Sequence, residues 1–270
     1  MQYFVFASQE SLPLPLFAEA HSGWRFWRYG KGLTSILAVL ALAPNVSPMK
    51  VSDALQHRMS VRAFRPDPVS GSTVREILET ASRSPSGGNL QPWRVYALSG
   101  QLLDEFRAVI AAKLKAGETE TPEYDVYPHN LWEPFKKRRR DTGAQRYAAL
   151  GVDDKDKAAL KELGERNYRF FGAPVGLLFC LDRRLGPPQW SDMGMYMLSV
   201  MLLAAERGLD TCPQESWSNW PVSVRAFLNL PDELMLFAGM SMGYREPDDP
   251  LNAIRTAREP FEVFAEMRGF

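Results

Sequence analysis

SPSGGNLQPW, residues Ser84 to Trp93, is the stretch on which the fold turns. It sets two glycines, two prolines, an Asn and a Gln between a predicted helix and a predicted strand. Asn89 and Gln91 each carry a carbonyl acceptor and an amide donor. Gly87 and Gly88 open backbone conformations closed to other residues and let a ligand come near. Pro85 and Pro92 stiffen both ends. By itself the run is either a plain turn or a cradle for a flat polar heterocycle.

Outward from it the pattern is mixed. Before it, STVREILETASRS predicts a helix. Thr73 with Glu76 fits a capping box, and Val74, Ile77, Leu78 and Ala81 make one apolar face. Further upstream, MKVSDALQHRMS is helical by the spacing of Val51, Leu55 and Met59. After it, WRVYAL (Trp93 to Leu98) reads as a strand and Gln101 to Leu114 as a helix. Residues from about 116 to 164 form a polar, irregular excursion of the kind that often acts as a lid. It carries Tyr124, Tyr127, Trp132 and Phe135, and a basic run, Lys136 to Arg140. That run is a possible phosphate patch, although such runs are more often a solvated helix face.

APVGLLFCL (Ala173 to Leu181) then suits a buried strand. SDMGMYMLSVMLLAAERGL is a helix apolar nearly all round, capped by Ser191 or Asp192 and ended by Gly208. Its place is the centre of the fold or a subunit interface. Its methionines, Met193, Met195, Met197 and Met201, read as core. ELMLFAGMSMGY is another buried strand, and REPFEVFAEMRGF closes with a short amphipathic helix.

Composition narrows the function classes. The chain has 270 residues, 45% hydrophobic and 24% charged, with 32 basic and 32 acidic side chains and zero formal net charge. Nothing global points to nucleic acid or to stable membrane insertion. Cys180 and Cys212 lie in apolar surroundings and read as buried thiols. His21, His57 and His129 are scattered, without an HExxH or a His/Cys cluster, so no metal site is expected. Neither GxGxxG nor GxxxxGK[ST] occurs. The first 48 residues stand apart. LTSILAVLALAP (Leu33 to Pro44) is apolar over too few residues for a bilayer, which takes about 20. Its Ala41-Leu42-Ala43 resembles a signal cleavage site, but a long aromatic segment precedes it. Met49 is therefore expected as the natural start, with 1–48 an extension outside the core and 49–270 the functional domain.

Three further stretches carry chemistry. In RMSVRAF, alternation puts Arg58, Ser60 and Arg62 on one side of an extended segment. Two guanidiniums and a hydroxyl there suit a phosphate. GLDTCPQESW (Gly208 to Trp217) brings a strand-like segment with a Pro and a Glu after a buried helix. RTAREP supplies Arg255 and Arg258, a second cationic feature. Each alone has a bland reading: a solvated surface pair, a plain connection, exposed arginines.

Together they resemble the FMN-dependent nitroreductase family. The order R-x-S-x-R-x-F, helix, S-P-S-x-x-N-x-Q-P-W carries the resemblance. GLDTCPQ, NLPDE, AGMSMGY and AREPFEVF extend it from about Val51 to the C-terminus. DTCPQ is most similar to the branch that includes nitrobenzoate reductases. The resemblance implies an α+β fold, with a mixed, mostly antiparallel sheet wrapped by helices, in an intertwined homodimer. It implies FMN as cofactor, held at its phosphate, ribityl chain and pyrimidine edge by Arg58, Ser60 and Arg62, and at the phosphate by Arg258. Arg62 stands where relatives carry Lys. Pro85 and Ser86 fall where the loop nears the partner subunit's flavin, and Asn89 and Gln91 where relatives place cofactor-contacting amides. Pro213, Gln214, Glu215 and Ser216 match the segment whose backbone faces the flavin N5 edge. The implied activity is cytoplasmic, NADH- or NADPH-driven, ping-pong reduction of a small aromatic acceptor, nitroaromatic or quinone-like. Flavin-dependent dehalogenation, flavin destruction and non-catalytic FMN binding are the alternatives within the fold. An interaction protein using Lys136 to Arg140 is the alternative outside it.

Overall fold

The computed structural model describes residues 49–270. The expectations for residues 1–48 fall outside the described residues. Four strands, β1 (Arg94–Ser99), β2 (Val175–Asp182), β3 (Asp210–Gln214) and β4 (Leu234–Gly243), form one sheet in the order β1-β2-β4-β3. All neighbouring strands are antiparallel. The parallel pairing found among the described residues is an isolated bridge from Ser60 to Thr211, on the β3 edge. The helices are α1 (Val51–His57), α2 (Gly71–Ala81), α3 (Gly100–Ala116), α4 (Phe135–Ala149), α5 (Lys157–Glu165), α6 (Pro187–Glu206), α7 (Pro221–Leu228) and α8 (Phe261–Phe264). The α+β class expected from the sequence is the one observed.

β2 is buried from Val175 to Leu181 because both faces of the sheet are covered. On one face Leu178 and Cys180 pack with Leu103, Phe106 and Ile110 of α3 and with Trp217. On the other, Leu177 and Phe179 pack with Ile77 of α2 and Met193, Tyr196 and Val200 of α6. β4 changes sides midway. Leu236 pairs with Cys180 and Ala238 with Phe179, so Phe237 is an extra residue in the ladder. A period-2 strand that gains one residue exchanges its faces. Leu234 and Leu236 accordingly join the first core, and Ala238, Met240 and Met242 the second.

Several local expectations need correction. Ser70, not Thr73, caps α2: its Oγ accepts from the Thr73 N–H at 3.0 Å, so the helix begins a turn earlier. α6 begins at Pro187, whose missing N–H suits a first helical turn, so Ser191 and Asp192 lie inside the helix. Gly208 follows its end with φ of 71°, as expected of a residue past a helix terminus. Met193 and Met197 are buried, but Met195 is 39% exposed and belongs to the surface. The excursion is not irregular throughout, since it holds α4 and α5. It is fastened to the sheet and to α7 at its start. The Glu120 carboxylate accepts from the N–H groups of Val222 and Ser223 at the head of α7. Glu123 pairs with Arg183 at 2.9 Å and accepts from Leu236 N–H. The Tyr124 hydroxyl donates to the Phe237 carbonyl at the bulge. Both cysteines are buried and free.

Candidate active site

α1 ends at His57, and the chain leaves it extended at Arg58, with φ −61° and ψ 140°. Backbone bonds hold it so: Val61 N–H donates to Thr211 O at 3.0 Å, and Arg62 N–H to Asn252 Oδ1 at 2.8 Å. Val61 points into the core. Arg58, Ser60 and Arg62 open onto one cavity of about 400 Å³, as the alternation required. Thr142 and Arg146 of α4 line its far wall, and Arg255, Thr256 and Arg258 come from the segment after the 3-10 turn Pro250–Ala253.

The lining holds five arginines and no carboxylate. Burial, then Arg258 and Arg255, hold the half-buried Arg58 below the usual arginine range. Burial, then Arg62, do the same to Arg146. Arg58 Nε is buried without a hydrogen-bond partner. Arg255 donates to the carbonyls of Gln56, His57 and Arg58, and Arg258 to Thr256 and Ala257. Guanidiniums gathered without a counter-charge, one with an orphaned donor, are a built receptor for a dianion such as phosphate.

A second cavity, about 420 Å³, lies along Pro213, Gln214, Glu215 and Ser216, facing Pro122, Tyr124, Tyr127, Arg139 and Asn167. Trp217 fixes this segment. It is fully buried, stacked on Phe106 at 5.1 Å and Phe170 at 4.6 Å, over Gly239 of β4. The Gln214 side chain is consumed internally: its Nε2 donates to Asn167 O at 2.6 Å and its Oε1 accepts from Ser241 Oγ at 2.7 Å. Gln214 therefore offers this cavity its backbone, not its amide. Ser216 Oγ is buried and unpartnered. Glu215 is exposed at the rim, yet desolvation by the surrounding protein raises its pKa. The arginine cavity is joined to this segment through the bridge between Ser60 and Thr211 of β3, two residues before Pro213. Both have unpaired polar groups where a phosphate-bearing flavin would need them, so the residues fit FMN.

Pro85, Ser86, Asn89 and Gln91 lie elsewhere. Their loop docks on the first turns of α6, where Gly87 N–H donates to the Asp192 carboxylate at 3.3 Å. Ser86 Oγ accepts from Gln91 N–H, and Gln91 Nε2 donates to Asn89 O. Gly88, Asn89 and Gln91 all have positive φ, 58°, 57° and 48°, whereas Gly87 does not. For Asn and Gln this is backbone strain, of a kind that gathers at ligand sites. The arginine cavity is tied instead to β3, through the bridge of Ser60 to Thr211, five residues past the last residue of α6. From Asp192 to Glu206 that helix runs about 21 Å at its ~1.5 Å rise per residue. Within the chain the expected residues thus form two groups, an arginine cavity with the 213–216 segment, and an exposed loop that lines neither cavity.

The nitroreductase family model matches residues 55–244. The chain belongs to the nitroreductase family. It is 38% identical over 215 residues to a nitrobenzene nitroreductase of Ectopseudomonas oleovorans, covering 79% of this chain and 95% of that one. It is 33% identical to a 4-nitrobenzoate reductase of Pseudomonas putida, over 79% of this chain and 93% of that one. In structure it is similar to the FMN- and NADPH-dependent nitroreductase NfnB of Sphigopyxis sp. strain HMH, with a TM-score of 0.79 and 42% identity. That match covers 82% of this chain and all of the other. NfnB of Mycobacterium smegmatis, solved in complex with NADPH, aligns with a TM-score of 0.76 and 28% identity over 81% of this chain and all of that one.

The nitroreductase chain also has site residues that the sequence reading passed over. Thr142 and Arg146 come from an excursion read as irregular. Basic residues at 136, 139, 140 and 146 recur at helical spacing, which was the signal available. Nothing in the sequence showed that this helix closes over the arginines.

Proposed function

We propose that the chain binds FMN and reduces nitroaromatic acceptors with NADPH or NADH. The observation that carries this is the five-arginine cavity with the orphaned Arg58 Nε. Arg58, Ser60 and Arg258 hold the phosphate and ribityl end, with Arg146 and Arg255 adding charge, and Arg62 lies toward the pyrimidine edge. The backbone of Pro213, Gln214, Glu215 and Ser216 borders the ring. Bound FMN would supply the hydride chemistry. The chain's residues orient the ring and bring reductant and acceptor to one place in turn, a ping-pong cycle. Arg62 supplies positive charge beside the ring, where negative charge gathers on reduction. The relatives named for nitrobenzene and 4-nitrobenzoate support a nitroaromatic acceptor, and quinones are a second acceptor class.

We further propose a homodimer in which Pro85, Ser86, Asn89 and Gln91 of one copy complete the site of the other. Three features support it. The loop is exposed, and none of its residues lines the arginine cavity of its own chain. Among the described residues strand β1 is a sheet edge, a natural template for pairing. The C-terminal segment exposes Phe261, Val263, Phe264, Met267 and Phe270, apolar surface suited to a partner.

The test is an absorbance spectrum of the purified protein, then anaerobic NADPH, then a nitroaromatic. Bands near about 370 and 450 nm, typical of a flavin whose electronics the site tunes, should bleach and return. A colourless protein that cannot be loaded with FMN sinks the reading.

A further inference from the structure

A third cavity, about 640 Å³, opens on the α4 side of the site. Pro128, Leu131 and Tyr147 supply its apolar and aromatic surface, and Lys136, Arg139, Arg140 and Arg146 its charge. The four cations stand at i, i+3, i+4 and i+10 of α4, on one helical face. The acids near α4 are committed elsewhere. Asp141 pairs with Lys137 at 2.5 Å and reaches Arg140 only at 3.9 Å. Glu259 pairs with Arg138, and Asp125 with His129 at the rim. Glu133 accepts from Lys137 N–H. No carboxylate lines the cavity. Like charges one turn apart destabilise a helix, so this face is electrostatically unfavourable until an anion occupies it.

The cavity connects with both others through single residues. Arg146 also lines the arginine cavity, and Arg139 also lines the 213–216 cavity, where it lies 4.2 Å over the Tyr127 ring. A small nitroaromatic carboxylate brings one negative charge, whereas a dinucleotide phosphate brings several, and the α4 cavity gathers four cations without a carboxylate.

We propose that the α4 cavity binds the 2′-phosphoadenosine end of NADPH, with Lys136, Arg139 and Arg140 selecting NADPH over NADH. This rests on the flavin-reductase reading of the neighbouring cavities. The probes are 2′,5′-ADP and 5′-AMP, which differ only in the 2′-phosphate, titrated calorimetrically into the FMN-loaded protein and its Lys136→Gln/Arg140→Gln variant. Of the three cavities, both of those side chains line the α4 cavity alone. The wild type should bind 2′,5′-ADP at least tenfold more tightly than 5′-AMP, with strong salt dependence, and the variant should lose that preference. Anaerobic flavin bleaching should then show the apparent Kd for NADPH rising at least tenfold in the variant, with NADH changed less than twofold. Equal binding of the two probes by the wild type overturns the proposal, as does an equal loss for NADPH and NADH. A variant that keeps its NADPH affinity but weakens 4-nitrobenzoate against nitrobenzene also overturns it, and assigns the cavity to an acceptor carboxylate. Failure of the wild type to hold FMN is a different result, because it strikes the flavin reading first.

Discussion

Arg58 is where the site's electrostatics concentrate. Burial and two neighbouring guanidiniums disfavour its charge, and its Nε has no partner. A phosphate relieves all three. Arg58→Ala should therefore weaken FMN binding by about 10- to 100-fold, the worth of a charge-assisted hydrogen bond at ~1.5–3 kcal/mol, as read by flavin-fluorescence titration. The flavin-free variant should unfold at the same urea concentration or a higher one, because the repulsion from Arg255 and Arg258 is gone. A fall in that midpoint would make Arg58 a structural residue. The cysteines give the opposite kind of prediction. Burial pushes Cys180 up to about 12, and it pushes Cys212 up to about 11 against the pull of Arg62, Arg146 and Arg58. The thiolate is the reactive form, so the folded protein at pH 8 should leave a disulfide-exchange reagent unreacted until denaturant is added. Fast labelling of one thiol in the native state would contradict the burial.

Among the elements, the Glu215–Asn219 turn owes its position to one glycine. A Cβ at Gly239 would lie 2.2 Å from Trp217 Cδ1, inside the fully buried indole. Gly239→Ala should cost at least ~1–3 kcal/mol, the usual range for overpacking, by urea denaturation. Because Trp217 carries the segment before it, the same variant should hold FMN less tightly even where it folds. Wild-type flavin affinity in a folded Gly239→Ala protein would separate Trp217 from the site. This dependence was hidden in the sequence, where the strand and the SPSGGNLQPW block were plain. AGMSMGY reads as a buried strand whichever aromatic lies over its glycine. The bulge at Phe237 was equally invisible, since an inserted residue leaves the composition of an apolar run unchanged. The start of α2 was mis-set by one turn because Ser70 and Thr73 are both competent caps, and local sequence does not rank them.

At the scale of the whole molecule, the prediction concerns two copies. If Asn89 and Gln91 serve the other subunit, Arg58→Ala and Asn89→Ala/Gln91→Ala homodimers should each bind FMN poorly. A mixed dimer of the two should recover one sound site, visible as about half the wild-type flavin content. No recovery would place all of these residues in the site of their own chain. The sequence by itself determined the chemical parts: alternating Arg-Ser-Arg, a Gly-Gly-Asn-x-Gln loop, buried strands, and a family order of motifs. These were legible because each rests on local periodicity or on residue types within one short segment. Tertiary structure alone decided which parts meet. It brought Arg146 of α4 and Arg255 to Arg58, and it docked the 84–93 loop along α6, Ser84 on Ser199 and Gly87 on Asp192. It also set the basic run, an exposed helix face as expected, along one wall of a cavity. Charge and burial act through space, and the distances that govern them exist only once the sheet has closed between its two layers of helices.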